Sequence, residues 1–165
     1  MNLETKRCEL RTLEGYDLHD VLRVYQDEQV RRYLGGPVEE ALIKRLIKRW
    51  NEPKEGSFYA AVIEKRTGSF IGTVSLDLHH DQTNDEVSYQ LLPEWWGKGY
   101  GKEVVSVVLQ YAFQKLQLTK VVAETQAANT RSCRLLESVG MSEEATVDRF
   151  GEKQIIYAIY NNDHT

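Results

Sequence analysis

An α/β fold, with a mixed, mainly antiparallel twisted sheet of about seven strands flanked by about four helices, is what this sequence predicts. Three observations predict it. Runs of β-forming residues cluster as antiparallel neighbours, stretches with apolar residues at helical offsets separate those clusters, and a glycine-rich segment joins a strand-like run to the longest helix-like one.

Taken in order, residues 3–13 alternate loosely and read as one strand, broken by Glu14-Gly15. Residues 17–27 read as a helix with Leu18, Val21, Leu22 and Val24 on one side. A second helix spans residues 38–51, with Leu42, Ile43, Leu46, Ile47 and Trp50 at helical spacing and Pro53 beyond its end. Residues 58–64 and 69–79 are β-rich and separated by Lys65-Arg66-Thr67-Gly68, a hairpin loop. Residues 86–92 form a third such run, closed by Pro93, which cannot donate a ladder hydrogen bond.

Residues 101–116 carry Val104, Val105, Val108, Ala112 and Leu116 at helical offsets and predict a largely buried helix. Residues 121–125 make a short strand after it, so strand, helix and strand form a βαβ-type unit around the glycines. Asn129 suits the N-cap of a helix bearing Leu135, Leu136 and Val139, with Gly140-Met141 as its C-cap. Residues 144–150 and 154–160 flank Gly151-Glu152-Lys153 as a closing hairpin.

The 165 residues, 41% hydrophobic and 28% charged, fit one domain spanning 1–165 with a real core. A formal net charge of -4 argues against nucleic-acid binding, which needs a basic surface to neutralise phosphates. The most apolar stretch, residues 104–113, is short and interrupted by Ser106 and Gln110, so no membrane span is expected. Cys8 and Cys133 are too few for a disulfide framework and lack metal spacing, which points to a reducing, cytoplasmic setting. His79-His80-Asp81 offers no metal site either, because adjacent strand residues point to opposite faces and no further ligand cluster follows.

Chemistry concentrates at Trp96-Gly97-Lys98-Gly99-Tyr100-Gly101-Lys102. Three glycines in five residues let the backbone curl tightly and a ligand approach its amides. Where such a segment opens a helix, unpaired N–H groups and the macrodipole, worth about half a positive charge, favour an anion such as a pyrophosphate. Lys98 and Lys102 would add to that field. Neither common nucleotide motif fits. The P-loop pattern ending at Gly101-Lys102 would place Trp96 at its first glycine and Glu103 at its Ser/Thr, and G-x-G-x-x-G begun at Gly97 meets Lys102 at the third glycine.

From Glu86 through Gly101 the sequence Glu-Val-Ser-Tyr-Gln-Leu-Leu-Pro-Glu-Trp-Trp-Gly-Lys-Gly-Tyr-Gly resembles the signature strand and acetyl-CoA loop of the GNAT superfamily of N-acetyltransferases. The likeness extends over essentially the whole chain, through Arg11, the segment Asn129-Thr130-Arg131-Ser132 and the closing hairpin, and it is similar in particular to the branch acting on N-termini of ribosomal proteins. Two departures stand out. Trp96 replaces the Arg or Gln that usually opens the loop, and Leu136 stands where many members carry a proton-donating tyrosine.

The resemblance implies acetyl-CoA as co-substrate, no metal, and an amine acceptor, either a peptide N-terminus or a small molecule. Cofactor contacts would come from Leu91, Leu92, Trp96, Gly97, Lys98, Gly99, Tyr100, Gly101, Lys102, Asn129 and Ser132. Backbone amides near Leu91 and Leu92 would hold the acyl carbonyl, which is oxyanion stabilisation without a side chain. Ser132 is the candidate proton donor to the CoA thiolate, and Asn129 either a ligand to the pantetheine amides or a plain helix cap. Glu86 is the candidate base, with Glu124 in reserve. Loss of the tyrosine also leaves open a non-catalytic acetyl-CoA-binding module, and the closing hairpin presents an edge through which a homodimer could form.

Overall fold

The computed structural model describes residues 2–52 and 54–161, and Pro53, expected just past a helix, lies outside them. One sheet of eight strands runs in the order β1-β2-β3-β4-β5-β6-β8-β7. Its strands are β1 (Asn2–Glu4), β2 (Cys8–Thr12), β3 (Phe58–Glu64), β4 (Phe70–Leu78), β5 (Asp85–Leu91), β6 (Lys120–Gln126), β7 (Ser142–Arg149) and β8 (Glu152–Tyr160). The α-helices are α1 (Leu18–Tyr25), α2 (Glu28–Arg31), α3 (Glu40–Trp50), α4 (Tyr100–Gln114) and α5 (Thr130–Ser138). No described helix is long and apolar enough to cross a membrane.

Two elements differ from the expected count. The single strand expected over residues 3–13 is two, because Thr5 turns the chain: its Oγ1 accepts from Cys8 N at 2.8 Å, and its own N–H donates to Cys8 O at 2.8 Å. A threonine side chain here captures a hydrogen bond that a continuous ladder would need. The extra helix, α2, is one turn, too short for a periodicity to register. Asp27 caps it by accepting from Val30 N at 2.9 Å.

The sheet has helices on both faces. Val104, Val105, Val108 and Ala112 of α4 pack with Leu10, Val62, Leu76 and Val121 from alternate strand positions. On the opposite face Val21 and Val24 of α1 and Ile43 and Ile47 of α3 cover Leu13, Ala61, Phe70 and Leu92. Every neighbouring pair is antiparallel except β5 and β6, which α4 connects. That parallel pairing covers only Asp85↔Val121 and Glu86↔Val122. Beyond Glu86 the two strands part, and the sheet carries a wedge at its middle.

Candidate active site

The wedge opens into a cleft of about 840 Å³, a size suited to a large cofactor. Diverging β5 and β6 supply two walls, the start of α4 and the face of α5 two more, and residues 29–34 close one side.

Pro93 begins a 3-10 turn through Trp95, and the chain then reaches α4 through Gly97 and Gly99, at φ of 73° and 84°. Gly99 is the N-cap of α4 in the left-handed conformation, which a residue with a Cβ rarely adopts. The first helical N–H with an acceptor is that of Glu103, on Gly99 O at 3.1 Å. Among the described residues nothing in the chain accepts from the amides of residues 97–102, the orphan donors that a helix start leaves. Gly97, Gly99, Tyr100, Gly101 and Lys102 all line the cleft.

The three glycines serve different ends. A Cβ on Gly97 would meet nothing within 4 Å, whereas one on Gly101 would sit 2.5 Å from Leu135 Cδ1. Gly101 therefore permits close packing of α4 on α5. Behind the loop, Arg7 lies 3.9 Å over the Tyr100 ring and its Nε donates to Glu103 Oε1 at 2.9 Å, which holds the loop to the β1–β2 turn.

The wedge wall resolves the expectation for Leu91 and Leu92. In an antiparallel pair the N–H and C=O of one residue point to the same side, and successive residues alternate. Leu92 N–H donates to Ile71 O at 2.8 Å, toward β4, and Leu92 is buried in the core under α1 and α3. Leu92 is therefore corrected: its amide is engaged, and it does not line the cleft. Leu91, one residue earlier, directs its N–H and C=O into the wedge, where Trp96 Nε1 donates to Leu91 O at 2.8 Å. The tryptophan that replaces the usual loop opener thus ties the loop to the strand.

For Lys98 the correction concerns the side chain alone, since its amide stays among the unpaired donors of the loop. Its ammonium lies 5.6 Å from the Trp95 ring centroid and it does not line the cleft, because the loop turns it outward. Basic groups come instead from Lys102, Arg131 and Arg134, with the Arg131 guanidinium stacked 3.9 Å over the Trp96 ring. Neither α5 arginine has a role legible in the sequence, though Arg131 falls within the segment Asn129-Thr130-Arg131-Ser132 and both line the cleft.

Asn129 and Ser132 both line the cleft. Asn129 Oδ1 accepts from Ser132 N at 3.3 Å, the helix-cap role. Ser132 Oγ accepts from the Tyr89 hydroxyl at 3.1 Å, a partner that sequence reasoning missed. Its signal was strand alternation: Tyr89 stands two residues before Leu91 and shares its face. Burial raises the Tyr89 phenol above its usual range.

The two carboxylate candidates sit side by side with opposite tendencies. Burial, with a contribution from neighbouring Glu124, pushes the Glu86 carboxyl up to about 7. Glu86 Oε2 accepts from Glu124 N at 3.2 Å, and Glu86 stands behind the cleft wall. Burial alone would raise Glu124 too. Hydrogen bonds from Arg149 (2.8 and 3.1 Å) and His79 (2.7 Å) outweigh it and hold Glu124 below the usual carboxylate range. Glu124 does line the cleft, but paired in this way it is a weak proton acceptor, and its reserve role as base does not fit.

Residues 29–34 close the cleft beside β5, a wall that the sequence did not reveal. Arg31 braces it, with Nε donating to Gly36 O at 3.0 Å and Nη1 to Gln90 Oε1 at 3.3 Å, so that Arg32, Tyr33 and Leu34 face the opening.

A family model described as an acetyltransferase (GNAT) domain matches residues 7–142. The N-acetyltransferase YoaA of Bacillus subtilis, itself uncharacterised, is 30% identical over 156 residues, covering 90% of this chain and 86% of the relative. Among solved structures, a ribosomal-protein-S5-alanine acetyltransferase from Vibrio fischeri superposes with a TM-score of 0.79 at 20% identity, over 100% of this chain and 99% of the other. A spermidine N-acetyltransferase from Vibrio cholerae, in complex with CoA and spermine, superposes with a TM-score of 0.81 at 22% identity, over 93% and 95%.

Proposed function

This chain belongs to the GNAT acetyltransferase family and is an acetyltransferase enzyme, and on that premise we propose that it moves the acetyl group of acetyl-CoA to a primary amine, the α-amine of a peptide N-terminus. The observation that carries the donor half is the row of unpaired amides at residues 97–102, opening into a cleft lined by Lys102, Arg131 and Arg134. In this reading those amides and cations hold the pyrophosphate. The Leu91 N–H receives the acyl oxygen, and Asn129, while capping α5, stands beside the pantetheine arm. The whole of 1–165 acts as one domain, in a cytoplasmic setting.

Transfer to an amine by an activated thioester is helped chiefly by holding both partners in line, with proton transfer adding roughly 10² to 10⁴-fold. Glu86, close to 7, is suited to take the amine's proton through water, while Ser132 supplies one to the departing sulfur.

For the acceptor, one observation favours a peptide over a polyamine. Glu124 is the only acidic side chain among the described residues lining the cleft, and it is already ion-paired with Arg149 and hydrogen-bonded to His79. A polycation would find no free carboxylate there. The test is calorimetric titration with acetyl-CoA, then CoA release against a panel of peptides, polyamines and other small amines. Release with peptides alone supports the reading. Turnover with polyamines and none with any peptide overturns the acceptor, and failure to bind acetyl-CoA overturns the whole.

A further inference from the structure

Leu136 occupies the place of an expected tyrosine on α5 and is 1% exposed, yet the structure brings a tyrosine to the same cleft from another element. Tyr89 of β5 donates to Ser132 Oγ of α5, two side chains 43 residues apart, and both line the cleft. We infer that Tyr89 is a positioning residue that fixes and polarises the Ser132 hydroxyl as hydrogen donor to the CoA sulfur. The inference rests on the acetyl-CoA reading above.

A serine hydroxyl has one hydrogen and two lone pairs, and its rotor is free until a partner fixes it. Tyr89 takes one lone pair, and Asn129 Oδ1, the acceptor at the start of the helix, is engaged by Ser132 N–H. With Tyr89 as the donor of this pair, the serine's own hydrogen is left to address the cleft that both residues line. Chains of hydrogen bonds polarise one another, so donation from Tyr89 makes that hydrogen a better donor. Tyr89 also shares a strand face with Leu91 and stands about 7 Å from it along β5, so the hydroxyl pair and the candidate acyl-binding amide face one stretch of cleft.

The step balances. The amine nitrogen bonds to the acetyl carbon, and the C–S bond breaks with its electron pair on sulfur. Ser132 gives its proton to sulfur as Tyr89 gives its own to Ser132, and the phenolate recovers a proton through solvent, matching the one the amine sheds. The charged and titratable groups beside Tyr89 are Arg131 and Cys133 of α5.

The test needs no acceptor. CoA is bound to the protein and its thiol titrated by thiolate absorbance, with desulfo-CoA as blank. Free thiols ionise near about 8.5, and a donor aimed at sulfur lowers that value. Relative to wild type, Ser132→Ala should raise the bound thiol by about one unit and Tyr89→Phe by about half to one. The double variant should show no more than Ser132→Ala alone, and Ser132→Thr should stay near wild type. Tyr89→Phe removes only a hydroxyl, and circular dichroism and CoA affinity check that the fold is intact. An unchanged thiol pKa in Tyr89→Phe with CoA bound, or shifts that add in the double variant, overturns the role of Tyr89 and leaves the acetyl-CoA reading standing. Absence of CoA binding by wild type overturns both.

Discussion

Trp96 Nε1 donates to the carbonyl oxygen of Leu91 at 2.8 Å, so the residue that opens the glycine loop is bonded to the residue that ends β5. One hydrogen bond thereby couples the expected phosphate site to the expected acyl site. Trp96→Phe keeps the ring under Arg131 but leaves a partly buried carbonyl unsatisfied, at a cost of about 1–2 kcal/mol. The expected outcome is an acetyl-CoA affinity about fivefold to thirtyfold weaker with secondary structure retained, read by calorimetry and circular dichroism.

Gly99 and Gly101 should fail for separable reasons. Gly99→Ala forces a side chain onto a φ of 84°, costing about 1 kcal/mol, and should weaken acetyl-CoA binding through loop distortion. Gly101→Val drives atoms into Leu135 and should lower the melting temperature by several degrees. Adding Leu135→Ala to Gly101→Val should recover much of that loss in a thermal melt, whereas it should not rescue Gly99→Ala.

Glu86 makes a signed prediction for pH. Its carboxyl titrates near 7 in the fold and near 4.5 outside it, so the folded protein binds the extra proton between those values. The stability that this proton contributes is complete below about 4.5 and is lost as pH rises through about 7. Glu86→Gln should flatten that part of the stability curve in denaturant titrations at stepped pH. In catalysis the sign reverses. Glu86 can accept a proton only when ionised, so the wild-type to Glu86→Gln rate ratio should rise with pH through about 7, and a constant ratio would exclude it as base.

Asp27 caps the single turn of α2, which carries Gln29 and Val30 into the cleft wall. Asp27→Ala should cost about 1 kcal/mol locally. On the proposed reading the amine acceptor lies against that wall, so its Michaelis constant should rise while acetyl-CoA affinity holds, as steady-state kinetics with each substrate varied would show.

Much of this architecture was legible because its causes are local. A run of β-forming residues marked 58–64 as a strand with the same bounds in the structure, the offsets of Val104, Val105, Val108 and Ala112 marked α4, and Asn129 announced α5 by its own capping chemistry. The Thr5 turn was hidden because it depends on one side chain outcompeting a ladder, and α2 because one turn leaves no period to detect. At the site, the glycine segment spoke for itself. The contacts that decide Glu124, Leu92 and Tyr89 all join residues far apart in the chain: Glu124 to His79 is 45 positions away and Tyr89 to Ser132 is 43. Only the folded sheet brings such pairs together, so no spacing along the chain could disclose them.

The parting of β5 from β6 after Glu86↔Val122 leaves exposed backbone polar groups inside the sheet instead of at its rim. On an outer strand such groups invite other chains to pair and aggregate. Here α4, α5 and residues 29–34 crowd the gap, so a broad partner strand with side chains on both faces is kept out. On the proposed reading the guest is an extended, slender arm that offers its own amides, so the geometry that shields the protein from unwanted pairing also suits that guest.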